Sequence, residues 1–479
     1  MPQNNAADTP LIDPANEDYH RDLGRRQMQM IAIGGAIGTG LFLGAGARLH
    51  QIGPSLAIDY LICGFFSFLI LRALGELIMY RPTAGSYVSY AREFYGERAA
   101  YIAGWMTFLY WTMVGIVDIT AVAVYIHFWP VFGDVPQWVF ALIALSFIGL
   151  VNLVSVRYFG EFEFWFSIIK VVALVFFLII GIWVCGWHIP VDGRRPGFWM
   201  ISANGGLFPH GIMPSLLLLQ GIIFAYSAIE LVGVAAGECH NPREIIRGVV
   251  RSIFLRVTVF YVGSVILLVC VMPWWAYRAD QSPFVTFLDA LHVPGIETVM
   301  NIVVITAALS SFNSGLYSTG RMLRAMAFGG SAPHALKKMN RFSVPYVAIL
   351  TTVSVYLIGV ALNYLIPSSV FEIALNLSAL GILASWSCII LCHMRMRTRI
   401  KEGHIPEQNF KMPWYPFSSW LTLAFFALVI VMMAFDYPSG TITIAFIPVI
   451  TIALIFGWKM RGRYVDESVE ESARIHPAR

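Results

Sequence analysis

Ile33-Gly34-Gly35-Ala36-Ile37-Gly38-Thr39-Gly40-Leu41-Phe42 is the stretch on which the fold turns. Glycine fills four of the seven positions from 34 to 40, and each glycine costs a helix about 1 kcal/mol relative to alanine. Apolar residues flank the run on both sides, so it reads as the centre of a membrane-crossing helix that breaks easily there. Close packing of small residues between membrane helices would use the same composition. A second stretch tips the balance towards a break: Gly221-Ile222-Ile223-Phe224-Ala225-Tyr226-Ser227-Ala228-Ile229-Glu230-Leu231-Val232-Gly233, a weak helix centre followed at once by an intramembrane acid.

Working outward, the whole chain has the composition of a lipid-solvated protein. Of its 479 residues 58% are hydrophobic and only 13% charged, more apolar than a soluble surface tolerates. Apolar runs of about 20 residues, enough to cross a hydrocarbon core of about 30 Å, recur at 28–48, 54–79, 99–128, 137–156, 162–185, 212–236, 253–274, 297–326, 346–366, 371–393, 417–436 and 440–460. The expectation is an all-α integral membrane protein with twelve transmembrane helices. The polar first 27 residues lack the basic-then-apolar pattern of a cleaved signal, so the first crossing is expected to be retained. An even number of crossings puts both termini on one side. With that side cytoplasmic, only Arg48, Arg194, Arg195 and Arg278 fall outside and Arg72 and Lys170 fall within helices, so the rest of the 32 Lys and Arg lie inside, as the positive-inside rule requires.

The two weak centres belong to the first and sixth crossings. That spacing is what an inverted repeat of five helices plus five produces when the first helix of each half is discontinuous at the bilayer midplane. Broken helices survive in lipid only where their freed N–H and C=O groups face protein, water or a ligand. A free amino acid suits them: its carboxylate accepts from N–H groups at a half-helix start, and its ammonium donates to unpaired carbonyls. The organisation is then one transporter domain over 28–460, made of repeat one at 28–185, repeat two at 212–393 and peripheral helices at 417–460. Cytoplasmic tails at 1–27 and 461–479, without apolar periodicity, are expected to carry little order.

The net charge of +4 follows topology, so nucleic acid is not an expected partner. Six cysteines without a CxxC pair suggest no disulfide framework, and histidines without paired-ligand spacing give no metal site. No cofactor is expected. A membrane enzyme would need a nucleophile–base pair or paired catalytic acids, and none is legible. A channel would need polar rings along a continuous pore, whereas the intramembrane polar residues cluster near one depth. The expected class is a carrier, not an enzyme.

Six stretches carry a resemblance: Arg26-Gln27 through Ala45, Gly75-Glu76, Ser86-Tyr87-Val88-Ser89-Tyr90-Ala91-Arg92, Asn204-Gly205-Gly206, Ala236-Gly237-Glu238, and Asn313-Ser314-Gly315-Leu316-Tyr317. Through them the sequence resembles the bacterial amino acid permeases of the amino acid–polyamine–organocation superfamily, most closely its L-asparagine carriers. The resemblance implies a LeuT-like fold with ten core helices and two peripheral ones, alternating access, and a bacterial cytoplasmic membrane. Carried over residue by residue, it implies that Ile37, Gly38, Thr39 and Gly40 meet the substrate carboxylate, with Thr39 adding a hydroxyl donor. Phe224, Ala225 and Ser227 would supply carbonyls to the ammonium and an aromatic wall. Asp118 stands where related permeases usually carry Glu; it either reads the substrate side chain or makes a helix–helix hydrogen bond.

Two intramembrane charges need an account. Lys170, within the fifth crossing, must find a partner, release its proton or snorkel towards the inner surface. The resemblance implies that its ammonium fills the place where sodium-coupled relatives bind an ion between the first, fifth and eighth helices, near Ser310 and Ser311, which points to protons. Glu230 either takes up a proton or anchors the broken backbone. The expected function is proton-coupled import of L-asparagine, with an uncoupled permease or exchanger for another neutral amino acid as the alternative; expected partners are the amino acid, protons and membrane lipids. Arg72 and Glu76, four apart, are expected to pair with each other or with the following loop, and Trp386 to gate the outer path or pack the core.

Overall fold

A computed structural model describes residues 37–83, 85–154, 156–236, 248, 250, 258–278 and 281–475, with the side chains of 156–158, 234–236 and 462–475 excepted. The expected tail at 1–27, residues 28–36 of the first crossing and Gly237-Glu238 therefore lie outside the described residues. Among the described residues, regular secondary structure is helical apart from a single bridge between Val191 and Arg194. Lipid offers backbone groups no hydrogen bonds, and a helix satisfies them within itself.

The first crossing contributes α1 (Thr39–Phe42) and α2 (Gly44–Ile52); α3 is Ser55–Tyr80, α4 Ser86–Tyr95, α5 Glu97–Ile126, α6 Gln137–Val154 and α7 Val156–Gly186. The sixth crossing is α8 (Ile212–Leu217), α9 (Leu219–Ala225) and α10 (Leu231–Ala236). A π-turn at Thr258–Gly263 leads into α11 (Ser264–Val271), then α12 (Pro283–Asp289), α13 (Ile296–Phe328), α14 (Tyr346–Leu365), α15 (Val370–Lys401), α16 (Phe417–Phe435) and α17 (Ser439–Ile475). Among the described residues nine helices are long and apolar enough to cross a membrane, and each coincides with an expected span to within a few residues at its apolar part. The remaining expected spans are the first, sixth and seventh: residues 28–36 of the first and 253–257 of the seventh lie outside the described residues, and the sixth is interrupted after Ala225.

Burial separates core from periphery. α3, α5, α13 and α15 are mostly buried, and α5 packs along both α13 and α15. α7 shows Trp165, Val172, Ile179 and Ile182 outward, and α17 shows Ile452, Ile455 and Phe456; apolar outer faces of this kind meet lipid. The segment 461–479, expected to carry little order, is helical as far as Ile475, continuing α17. α4 and α12 are short helices that the span count did not include. Phe284 of α12 meets Phe42 at 5.2 Å and Phe177 at 4.7 Å between ring centroids, which wedges this connection against α1.

Both weak centres are interrupted. Gly38 is extended and caps α1, and Leu43 separates α1 from α2. α9 ends at Ala225, and residues 226–230 form turns in which Ala228 has φ +71°, a left-handed conformation that costs a non-glycine residue about 1–2 kcal/mol. The Ala228 N–H donates to the Tyr110 hydroxyl at 2.7 Å, so the strained turn is held by α5.

Candidate substrate and coupling site

Glycine density in the first crossing has a steric purpose. A Cβ at Gly40 would stand 2.5 Å from the Ala225 Cα, so this glycine lets the two interruptions meet backbone to backbone. Gly38 is roomier, since a Cβ there would meet Ser311 at 3.5 Å, an ordinary contact. Ile37, Thr39, Gly40, Phe224 and Ala225 are buried around the junction, and Ser227 is half-buried. The expected substrate residues of the two crossings are thus brought together.

Their hydrogen bonds refine the expectation. The Thr39 hydroxyl donates to Asp118 Oδ1 at 2.8 Å, with both residues buried. A hydroxyl has one proton, so in this geometry Thr39 is not a donor to a substrate carboxylate, and Asp118 makes the helix–helix bond that was one of its two readings. Ser311 also approaches the Asp118 carboxyl. The Ala225 carbonyl accepts from the Tyr261 hydroxyl of the π-turn at 2.7 Å, and the Phe224 carbonyl from the Ser227 N–H at 3.0 Å. Each carbonyl has a second lone pair, so both keep capacity for an ammonium.

Lys170 is fully buried in α7. Its ammonium donates to the Ile37 carbonyl at 3.0 Å and to the Ser310 hydroxyl at 2.8 Å, bridging the first crossing, α7 and α13. Snorkelling does not describe it. The Ser310 hydroxyl in turn donates to Glu163 Oε1 at 2.7 Å, and Ser167 donates to the same oxygen at 3.3 Å. Glu163 escaped the sequence reading because it falls in the first turn of the expected span 162–185, where an acid reads as an end charge. The available signal was the spacing Glu163, Ser167, Lys170, which places all three on one helix face.

Glu230 is buried at the second interruption, where the Trp386 indole donates to its Oε2 at 3.2 Å. Trp386 is itself 1% exposed, so it packs in the core and holds an acid. A cavity of about 20 Å³, enough for one water, touches Glu230, Ser86 and Thr107. A larger one of about 900 Å³ opens at one end of the bundle beside Leu43, Tyr125, Asn301 and Phe371. Glu372 on its wall faces Arg48 of α2 at 3.8 Å.

Arg72 and Glu76 do not pair as expected. Glu76 is fully buried and takes Arg397 Nε at 2.8 Å, His393 Nε2 at 2.9 Å and the Met412 N–H at 2.9 Å. Arg72 instead donates to the Lys411 carbonyl and lies 3.7 Å over the Phe410 ring. The reason is that α15 packs on α3 and presents His393 and Arg397, four apart, to the Glu76 face. On α13, Asn313 bonds across the bundle, accepting from Asn152 at 2.8 Å, and Tyr317 stacks on Phe159 with centroids 3.8 Å apart.

Comparison with known proteins extends the same reading. The amino acid permease family model matches residues 27–466. The L-asparagine permease of Salmonella typhimurium is 59% identical over 465 residues, covering 97% of this chain and 94% of that one. That of Escherichia coli is 60% identical over 453 residues, 95% and 91% of the two chains, and that of Streptomyces coelicolor is 52% identical over 467 residues, 97% and 96%. The chain therefore belongs to the amino acid permease family: it is a multi-pass membrane protein that transports amino acids, and it is not an enzyme.

Proposed function

We propose that this protein imports L-asparagine together with protons, by alternating access, across a bacterial cytoplasmic membrane. Relatives of 59–60% identity over nearly their full length bear the name L-asparagine permease, which supports the substrate. The observation that carries the coupling is the Lys170 ammonium seated on the Ile37 carbonyl and Ser310. A resident protonatable cation, pinned to the interrupted crossing, ties its own protonation to movement of that crossing.

In this reading twelve crossings form two inverted repeats, 28–185 and 212–393, with peripheral helices at 417–460 and cytoplasmic tails at 1–27 and 461–479. Substrate binds where the interruptions meet: the backbone of Ile37, Gly38, Thr39 and Gly40 takes the carboxylate, and Phe224, Ala225 and Ser227 take the ammonium. Asp118 acts on substrate choice by fixing Thr39. Lys170 and Glu230 are the protonatable groups, and the Trp386 indole holds Glu230 by donating to its Oε2.

The test is uptake of labelled asparagine into proteoliposomes under imposed pH or sodium gradients, competed by a panel of unlabelled amino acids, wild type beside Lys170→Met. Methionine keeps the stem and removes the titrating group. Accumulation driven by an inward proton gradient, absent in Lys170→Met and competed best by asparagine, is the expected result. Accumulation that follows sodium, or equal proton-driven accumulation by the variant, overturns the coupling; stronger competition by another amino acid overturns the substrate.

A further inference from the structure

Glu163 has no part in the function proposed above, yet it is the most deliberately placed buried acid of α7. It lies seven residues before Lys170, roughly two helical turns, and is fully buried. The Ser310 hydroxyl of α13 stands between the two: it accepts from Lys170 Nζ at 2.8 Å and donates to Glu163 Oε1 at 2.7 Å. These two bonds run in one direction, from the ammonium to the carboxylate. Glu163 Oε2 has no hydrogen-bond partner among the described residues, and a buried carboxylate oxygen without one is costly.

We propose that Lys170, Ser310 and Glu163 form a proton relay, with Glu163 the group that receives the proton Lys170 gives up. The inference rests on Lys170 being the coupling cation. In the transfer, an Nζ–H bond of Lys170 breaks as its proton bonds to Ser310 Oγ. The O–H bond of Ser310 breaks as its own proton bonds to Glu163 Oε1. Ammonium, hydroxyl and carboxylate become amine, hydroxyl and carboxylic acid, and the net charge of the trio is zero before and after. No water or mobile cation has to enter the apolar bundle. In a low-dielectric interior the separated charges are expensive, and the neutral pair relieves that cost. Protonated Glu163 then stands nearer the start of α7 than Lys170 does, and moving α13 breaks the wire at Ser310.

Among the described residues the ionisable surroundings are few. Asp118 of α5 acts electrostatically on Lys170, as Glu163 does. On α13, Tyr317 stacks on Phe159 and Arg321 lies over the Tyr317 ring, roughly two to three turns beyond Ser310. In the π-turn, the Tyr261 hydroxyl is committed to Ala225. α6 brings no ionisable side chain to α7.

The experiment uses the full-length protein in proteoliposomes enclosing a pH-sensitive dye, with asparagine added outside. Substrate-dependent proton entry and substrate accumulation are read for wild type, Lys170→Met, Glu163→Gln, Glu163→Asp and Ser310→Ala, and binding is measured on each purified protein. Glu163→Gln is expected to bind asparagine while proton entry falls by about a hundredfold, the scale of losing a positioned proton-transfer group. Glu163→Asp should recover part of it, and Ser310→Ala should lose it with both ionisable groups intact. Wild-type proton entry in both Glu163→Gln and Ser310→Ala, with Lys170→Met inactive, overturns the relay and leaves the coupling cation standing. Wild-type proton entry in Lys170→Met overturns the underlying reading instead. Should Glu163→Gln fail to fold, Ser310→Ala decides alone.

Discussion

The proton of the Thr39 hydroxyl is directed at a fully buried carboxylate, that of Asp118, and this one bond sets what substitution does at both positions. Thr39→Val keeps the shape and removes the donor, stranding a buried acceptor at a cost of about 1–3 kcal/mol. Thr39→Ser should retain the bond and most of the stability. Thermal unfolding of the detergent-solubilised proteins checks this, and equal melting of Val and Ser variants would remove the bond from the account. The neighbouring glycines separate in the same assay. Gly40→Ala drives a methyl into the Ala225 backbone, which neither helix can yield cheaply, and should cost about 1–3 kcal/mol as overpacking does. Gly38→Ala meets only an ordinary contact with Ser311 and should melt near wild type. The cluster at 34–40 was legible because glycines so dense in an apolar run contradict helix propensity and demand a reason. Glu163 was legible only as a member of the helix face it shares with Ser167 and Lys170; the partner on α13 that gives it a role beyond an end charge lies 147 residues away in sequence.

At the scale of elements, the molecule fastens its helices where ionic groups leave water together. α3 and α15 are joined by Glu76, which gathers Arg397, His393 and the Met412 N–H. The local rule that charges four apart on one helix pair with each other favoured Arg72 as the partner. It failed because Arg72 faces the segment around Phe410 and Lys411, and the packing of α15 on α3 overrode the rule. Removing one member of a buried pair leaves an uncompensated charge, at about 3–5 kcal/mol. Glu76→Ala should therefore lower the melting temperature far more than Arg72→Ala, whose partners are a carbonyl and a ring. A larger loss from Arg72→Ala would show that the fastening is elsewhere. The long spans were legible because apolar length alone defines them. α4 and α12 were not, because a helix of ten residues or fewer leaves too little periodicity to separate from a loop.

Across the whole molecule, orientation follows from where cations can be left. α15 ends in Arg395, Arg397, Arg399 and Lys401, while the connection after α7 carries Arg194 and Arg195. Within the twelve-crossing reading these two regions lie on opposite faces. Translocating cations is disfavoured in proportion to their number near a short loop, so the end of α15 is expected inside and the connection after α7 outside. His404 and Arg195 are exposed and report the two faces. In a background with the six native cysteines replaced, a membrane-impermeant maleimide should label Arg195→Cys in intact cells and His404→Cys only in inverted vesicles. Labelling of both in intact cells would refute the parity of the crossings between them, and the reverse pattern would refute the orientation. The same result bears on the relay: with the start of α7 facing inwards, as this orientation requires, Glu163 is the member of the trio nearer the cytoplasm, and a proton passed from Lys170 to Glu163 moves in the direction that import needs.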